Sequence, residues 1–529
     1  MSSSYLRPDV VIEPLVAQWF AVPNVVSPAS SPRVVTNRHL ALMRSFLQNP
    51  RVHEMAARTP AMAGGAFFQF GGARAEEVRT LLQKTEAEAA HLVRFSQAQT
   101  ELEKWLLENA KGESLEPHYA RIPEPLRGAV ELVYDLYHRP TLRLREPVLY
   151  RTPLYRESAQ QLRLFRSRGD IRHFYATPRL REPEDVWLTL PFRSAAVDAL
   201  ARARFEPVDV QALKASLGVS EEDSARFEAL FTQDVPSLAP RYEGEGIRVR
   251  YFGHACVVVE ANGVTIATDP AVAYEAGTGR FGFHDLPPRL DWVLITHAHP
   301  DHFSLEWLLA LRSRIGTIVV PRNGGGTHAD PSLRLMLRAM GFPSVIEVDE
   351  AESLELAPGM RLLTLPFQGE HCDLDIRSKL AYHLRVQERS LLMLGDTNLL
   401  DLAAYDLFAD ELGGPDMIFA GLESEGAPIS WGYGALFDAE PPRHIAMARR
   451  SNSMNAERTW PLVEKLRPRQ VHIYSMGCEP WMRHVMGIAV DERSPQVQNA
   501  MTLVTKAREH GMKSELLVLK WETVLNRAG

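Results

Sequence analysis

Three imidazoles and a carboxylate fall within Thr296-His297-Ala298-His299-Pro300-Asp301-His302, which directly follows the apolar run Trp292-Val293-Leu294-Ile295. Histidine and aspartate are seldom buried without partners, so a cluster of them at the end of a buried strand needs something positive to hold. His297 and His299 alternate, which sends both side chains to one side of an extended segment, and Asp301 and His302 turn back from the loop that follows. That arrangement suits two neighbouring metal ions, one on His297 and His299 and the other on Asp301 and His302. The plain alternative is a polar loop with coincidental histidines.

The elements that must position this cluster begin at a change of texture. Residues 1 to about 236 show scattered helical patterns and no metal-ligand cluster, with apolar residues at helical spacing from Val78 to Leu106. Ser237 to Gly246 reads as a linker, giving a mixed N-terminal domain over 1–240 and a second domain over 241–529. After it the chain turns β-rich. Ile247-Tyr251 and Ala255-Glu260 lead through the hairpin signal Ala261-Asn262-Gly263 into Val264-Thr268, which Asp269-Pro270 ends. Beyond the cluster, Leu305 to Leu311 reads as a helix and Asp330 to Met340 as another, begun by Asp330-Pro331. Strand-like runs then deliver Glu370-His371, Gly395-Asp396-Thr397, Met417 to Ala420 and Gln470 to Ser475.

Composition sets the bounds. A chain of 529 residues is too long for one core. Its net charge of -7 argues against a general nucleic-acid binder. Three cysteines (Cys256, Cys372, Cys478) make no disulfide framework and point to a reducing compartment, and Cys256 and Cys372 read as packing residues. No apolar span is long enough to cross a membrane, and Glu13 and Pro14 interrupt the run a signal peptide needs, so a cytoplasmic location is expected.

The ordered elements Gly253-His254, Asp269-Pro270, the His297–His302 motif, Glu370/His371 and Gly395-Asp396-Thr397 resemble the metallo-β-lactamase superfamily over roughly residues 245 to 485. The resemblance implies an α/β fold, an αββα sandwich with metals at the open edge between two sheets. It makes Asp396 the bridging aspartate and His254 and Asp269 residues that orient ligands. His472 lies near the superfamily's last metal histidine but sits in mid-strand, where a histidine is more often structural. Either Glu370 or His371 then completes the first metal's shell.

A mixed N-terminal domain ahead of such a sandwich is similar, over nearly the full length, to the diiron β-hydroxylases of natural-product biosynthesis. That closer resemblance favours Glu370 and implies metal ligands His297, His299, Asp301, His302, Glu370 and Asp396, with Glu370 and Asp396 also catalytic. Three carboxylates suit iron better than an imidazole-rich set would. The implied reaction is O2-dependent hydroxylation at the β-carbon of an amino acid held as a thioester on a nonribosomal peptide synthetase carrier domain. It implies two iron ions, a homodimer and an N-terminal domain shaping access to the metals. No flavin or iron–sulfur motif is visible, so an external reductase is expected to supply electrons.

Thirteen arginines, no lysine and seven acidic residues between Thr141 and Phe205 make that segment locally +6. An arginine surface could steer an acidic carrier domain, in which case reversing Arg163, Arg166 and Arg168 weakens turnover in a salt-dependent way. Internal salt bridges are the alternative. Glu423, Trp431 and Tyr433 are candidates for substrate contact, with core or turn roles equally open. Two rival functions remain at this stage. A dizinc hydrolase of phosphodiesterase or lactonase type predicts zinc and His371 as a ligand, whereas a non-catalytic scaffold has no reason to keep a full ligand set.

Overall fold

The computed structural model describes residues 4–62, 64–169, 172–274 and 279–526. Its N-terminal half holds a four-stranded sheet in the order Trp19–Phe20, Val10–Val16, Gln160–Arg166 and Val186–Thr189. The helices Ala75–Glu88 and Ala90–Asn109 stand where the helical spacing predicts them, and Val78, Leu81, Leu92, Leu102 and Leu106 form their buried faces. The stretch 237–246 carries no helix and no strand.

From Ile247 onward the chain forms two seven-stranded sheets among the described residues. One runs Val345–Val348, Ile315–Pro321, Leu290–Leu294, Val264–Thr268, Cys256–Ala261, Ile247–Gly253 and Trp521–Leu525. The other runs Ser353–Ala357, Met360–Leu365, Ala381–Val386, Arg389–Met393, Met417–Gly421, Gln470–Tyr474 and Lys513–Leu516. Val257, Leu294 and Val319 of the first sheet meet Leu384, Phe419 and Tyr474 of the second in one buried cluster. Helices Ala456–Leu466 and Pro495–Glu509 cover the second sheet's outer face. This is the αββα sandwich.

The hairpin at Asn262-Gly263 forms as expected, with φ of 51° and 73° and Ala261 opposite Val264, since a two-residue turn of this hand needs both residues left-handed. One boundary differs from the expectation. The helix read as starting at Asp330 is Leu333–Ala339, capped by Ser332, whose Oγ accepts from Leu335 N. Asp330 instead accepts from Gly324 N and Ser378 Oγ in a buried loop contact.

The two halves share a core. Val10, Leu162 and Val186 of the N-terminal sheet belong to one apolar cluster with Val258, Leu305 and Trp307. Helix Leu305–Leu311 is buried at every position, as a helix apolar all round must be. Its single acid, Glu306, is met by Arg172 Nη1 at 2.6 Å and by the Tyr274 hydroxyl.

Candidate metal centre

Parallel strands fix where the site lies. Val264–Thr268 and Leu290–Leu294 run parallel in one sheet, and Arg389–Met393, Met417–Gly421 and Gln470–Tyr474 run parallel in the other. Just past the carboxyl ends of these strands stand Asp269, the His297–His302 motif, Asp396, Glu423 and Ser475. An open α/β sheet binds ligands at that edge. The motif is tied to the second sheet by Leu380 N donating to Thr296 O at 2.7 Å and by Tyr382 Oη donating to Ile295 O.

All six residues expected as ligands come together. His297, His299 and Glu370 form one group whose donor atoms lie within 4.8 Å of one another, and His297, His302 and Asp396 form another. Asp301 joins His254 and His302 in a third and Asp396 and Glu423 in a fourth. His299 Nδ1 stands 2.8 Å from Glu370 Oε1, and His302 Nε2 stands 3.1 Å from Asp396 Oδ2. His371 takes no place in these groups, and its Nδ1 lies 2.6 Å from the far oxygen of Glu370.

Neighbours orient the ligating atoms. Asp269 Oδ2 takes the His302 Nδ1 proton at 2.8 Å, which turns Nε2 toward Asp396, and Asp269 Oδ1 accepts from Thr296 N at 2.8 Å. Tyr433 Oη lies 2.9 Å from His299 Nε2, leaving Nδ1 for Glu370's side of the site. His254 Nε2 is 3.1 Å from Asp301 Oδ2, and Ser475 Oγ bridges His254 and His302.

The cluster has the charge of a cation site. Burial disfavours charge on His302, but Asp396 and Asp301 outweigh it and raise its pKa well above the ordinary histidine value. Burial also works against the Glu370 carboxylate, yet His299 and His371 hold its pKa well below the ordinary range. Burial, then Asp301, Asp396 and Glu370, push Glu423 well above the usual carboxylate range. Buried His297 Nε2 and Asp396 Oδ1 have no hydrogen-bond partner among the described residues. Orphaned nitrogen and oxygen donors facing one another amid surplus negative charge are what divalent ions satisfy.

Glu423, a candidate for substrate contact or a turn role from the sequence, lines the cavity, and its carboxylate also stands with Asp301 and Asp396. The available signal was its position two residues past the strand Met417–Gly421, comparable to Asp396 three past Arg389–Met393. His472 lies away from the cluster, stacked on Phe419 at 5.3 Å and packed against Trp521, so it is structural. Cys256 and Cys372 are buried and free.

A cavity of ≈ 190 Å³ opens onto these groups. Trp19, Arg38 and Tyr175 from the N-terminal half line it, with Glu423, Tyr433 and Met486 from the sandwich. Trp19 stacks on His39 at 3.6 Å and follows the turn Ala17-Gln18, both left-handed at φ 49° and 70°. Arg38 comes from a π-helical turn, Val35–His39, of the kind that often marks functional sites. Its Nη2 donates to the carbonyls of Trp431 and Gly432 at 2.7 and 3.0 Å.

Several arginines of the arginine-rich segment are paired with acids of the protein itself. Arg163 pairs with Asp185 and Glu13, Arg166 with Asp9, Arg168 with Glu184, Arg179 with Glu13 and Arg193 with Glu157. Arg179 is buried in these pairs and Arg163 mostly so, whereas Arg166, Arg168 and Arg193 are paired at the surface.

Among known proteins, a family model described as the diiron non-heme β-hydroxylase N-terminal domain matches residues 5–235, and a β-lactamase superfamily domain model matches residues 248–420. A curated relative, the 4-amino-L-phenylalanyl-[CmlP-peptidyl-carrier-protein] 3-hydroxylase of Streptomyces venezuelae, is 35% identical over 526 residues, covering 97% of this chain and 98% of that protein. The crystal structure of CmlA, a diiron β-hydroxylase from Streptomyces venezuelae, superposes with a TM-score of 0.91 at 34% identity, covering 99% of this chain and 100% of that one.

Proposed function

Because the chain belongs to the diiron non-heme β-hydroxylase family, we propose that it hydroxylates the β-carbon of an amino acid carried as a thioester on a nonribosomal peptide synthetase carrier domain, using O2 and two iron ions, in natural-product biosynthesis. The observation that supports this reading best is Glu370 facing His297 and His299, an acid at the position where the superfamily's hydrolases place imidazole. His297, His299 and Glu370 would hold one iron, and Asp301 and His302 the other, with Asp396 between them. Glu423 is close enough to Asp301 and Asp396 to complete the second set. When bound, the irons supply the reductive activation of O2 that puts one oxygen atom into a C–H bond and releases the other as water.

The chain's own residues supply position. Asp269 fixes the tautomer of His302, so that its Nε2 presents a lone pair to the metal, and Tyr433 holds the orientation of the His299 ring. The cavity's aromatic wall keeps the target carbon out of bulk water and within reach of the open edge. Arg38 has no carboxylate partner among the described residues, so its remaining N–H groups are available to the carried aminoacyl arm. An Arg38→Ala enzyme is expected to raise KM for the loaded carrier ~10-fold with a smaller change in kcat, the loss of one charged hydrogen bond. Steady-state O2 uptake against carrier concentration measures it, and an unchanged KM removes Arg38 from substrate binding.

Electrons reach the irons from a separate reductase, and the enzyme works as a cytoplasmic homodimer whose N-terminal domain, 1–240, shapes access to the sandwich, 241–529. No helix among the described residues is long and apolar enough to cross a membrane. Metal analysis with Mössbauer spectroscopy on protein purified without added metal tests the central reading. Roughly two irons per chain in a coupled pair are expected, as the donor set favours. Two zincs and no O2 consumption with a loaded carrier would instead make this a hydrolase.

A further inference from the structure

The loop that carries Glu370 is held from outside the motif. Glu370, Cys372 and Asp373 have φ of 69°, 53° and 57°, and Gly369 before them has 69°. Three side-chain-bearing residues in the left-handed region within four positions do not stay there unaided, and such strain persists only where the surroundings over-determine it. The constraint comes from a segment some eighty residues later. Arg449 Nε donates to Cys372 O at 3.0 Å, with Nη2 donating to the same carbonyl. Ser451 Oγ lies 3.0 Å from Glu370 Oε1 and 3.1 Å from Glu370 O, so its hydroxyl can donate to the carboxylate or to the backbone.

That same segment braces the second acid. Ser451 N donates to Ala427 O, Ile429 N donates to Arg449 O, and Ser453 N donates to Glu423 O, each at 2.9 Å. The two strips approach so closely that a Cβ at Gly426 would sit 1.0 Å from Ser451 O. Glycine is the residue this crossing permits. One short run of chain is thus hydrogen-bonded to both carboxylate-bearing residues that lie outside the histidine motif and the Asp396 turn.

We propose that Arg449–Ser453 is a positioning element for the metal centre: Arg449 and Ser451 set the orientation of the Glu370 carboxylate, and Ser453 sets the backbone of Glu423. The proposal rests on the reading that Glu370 is an iron ligand. Ser451 and Arg449 act through that carboxylate and touch no reacting atom.

The test compares iron-loaded Ser451→Ala, Ser451→Thr and Arg449→Lys proteins with the parent, and uses Glu370→Ala as a control. After reduction, release of iron to ferrozine is followed, and Mössbauer spectra are taken of the oxidised proteins. Ser451→Ala is expected to release iron ~10-fold faster, the usual consequence of losing a partner that orients a ligand. One of its two quadrupole doublets should shift, Ser451→Thr should restore both readouts, and Arg449→Lys should change them as Ser451→Ala does. Should Ser451→Ala fail to fold, Arg449→Lys decides. Parent-like release and spectra in both overturn the proposal while a Glu370→Ala protein that loses iron leaves the ligand assignment standing. If Glu370→Ala itself keeps both irons and the parent spectrum, the ligand reading is what fails.

Discussion

A Glu370→Ala protein purified without added metal is expected to hold roughly one iron per chain and to hydroxylate at least ~10³-fold more slowly, a barrier increase of about 4 kcal/mol. The reason is the composition of the first set. His297 is tilted against His302, with ring centroids 4.1 Å apart, and His299 Nδ1 is aimed at Glu370 Oε1. Without the carboxylate, two imidazoles remain, and His371 stands behind Glu370 rather than in the group. Glu370→His is the sharper companion. It replaces hard anionic oxygen with neutral nitrogen, so zinc content should rise at the expense of iron, and O2 consumption should fall with it. Elemental analysis alongside O2 uptake reads both effects. A Glu370→Ala protein with two irons and the parent rate sinks the assignment.

Why Glu370 was harder to find than its neighbours is a matter of local structure. His297, His299, Asp301 and His302 follow a strand whose apolar run announces itself, and Asp396 follows a hairpin whose second strand ends in the apolar run Leu391-Leu392-Met393. The sandwich and the N-terminal helices were legible for the same reason, because burial imposes a period. Glu370 sits on an irregular left-handed loop with no period at all, so its residue type alone did not distinguish it from His371, and only the family resemblance did. The contact of Glu423 with Asp301 and Asp396 is not legible in the sequence, because a carboxylate just past a strand end is common and the contact is non-local. The C-terminal strands Lys513–Leu516 and Trp521–Leu525 are hard to read in the sequence because they are sheet edges, short and mostly half-exposed, with no apolar run. Val10–Val16 escaped notice for the opposite reason. It is buried on both faces, and Glu13 and Pro14 break the apolar pattern that identifies a buried strand.

The same Glu13 carries the largest stability effect expected outside the metal centre. Its side chain is fully buried and lies 3.0 Å from Arg179, 3.1 Å from Arg163 and 3.6 Å from Arg172, which in turn grips Glu306 on the sandwich helix Leu305–Leu311. A Glu13→Gln protein leaves these guanidinium groups short of a counter-charge in a core shared by both halves, which costs about 3–5 kcal/mol. Burial works to raise the Glu13 pKa, but the three arginines overcome it and hold the carboxyl far below the usual carboxylate range. Because the folded value is depressed, this stabilisation is fully present above the unfolded carboxyl pKa, about 4.3. It is lost progressively as pH falls below that toward the folded value. Glu306 works in the other direction, since burial leaves its pKa raised despite Arg172, so the parent's pH profile mixes two signs. Thermal or urea unfolding of parent and Glu13→Gln should therefore differ fully at neutral pH and by progressively less as the pH falls below about 4. A constant difference across that range, or none at pH 7, shows that Glu13 is not the charge on which the arginine cluster depends.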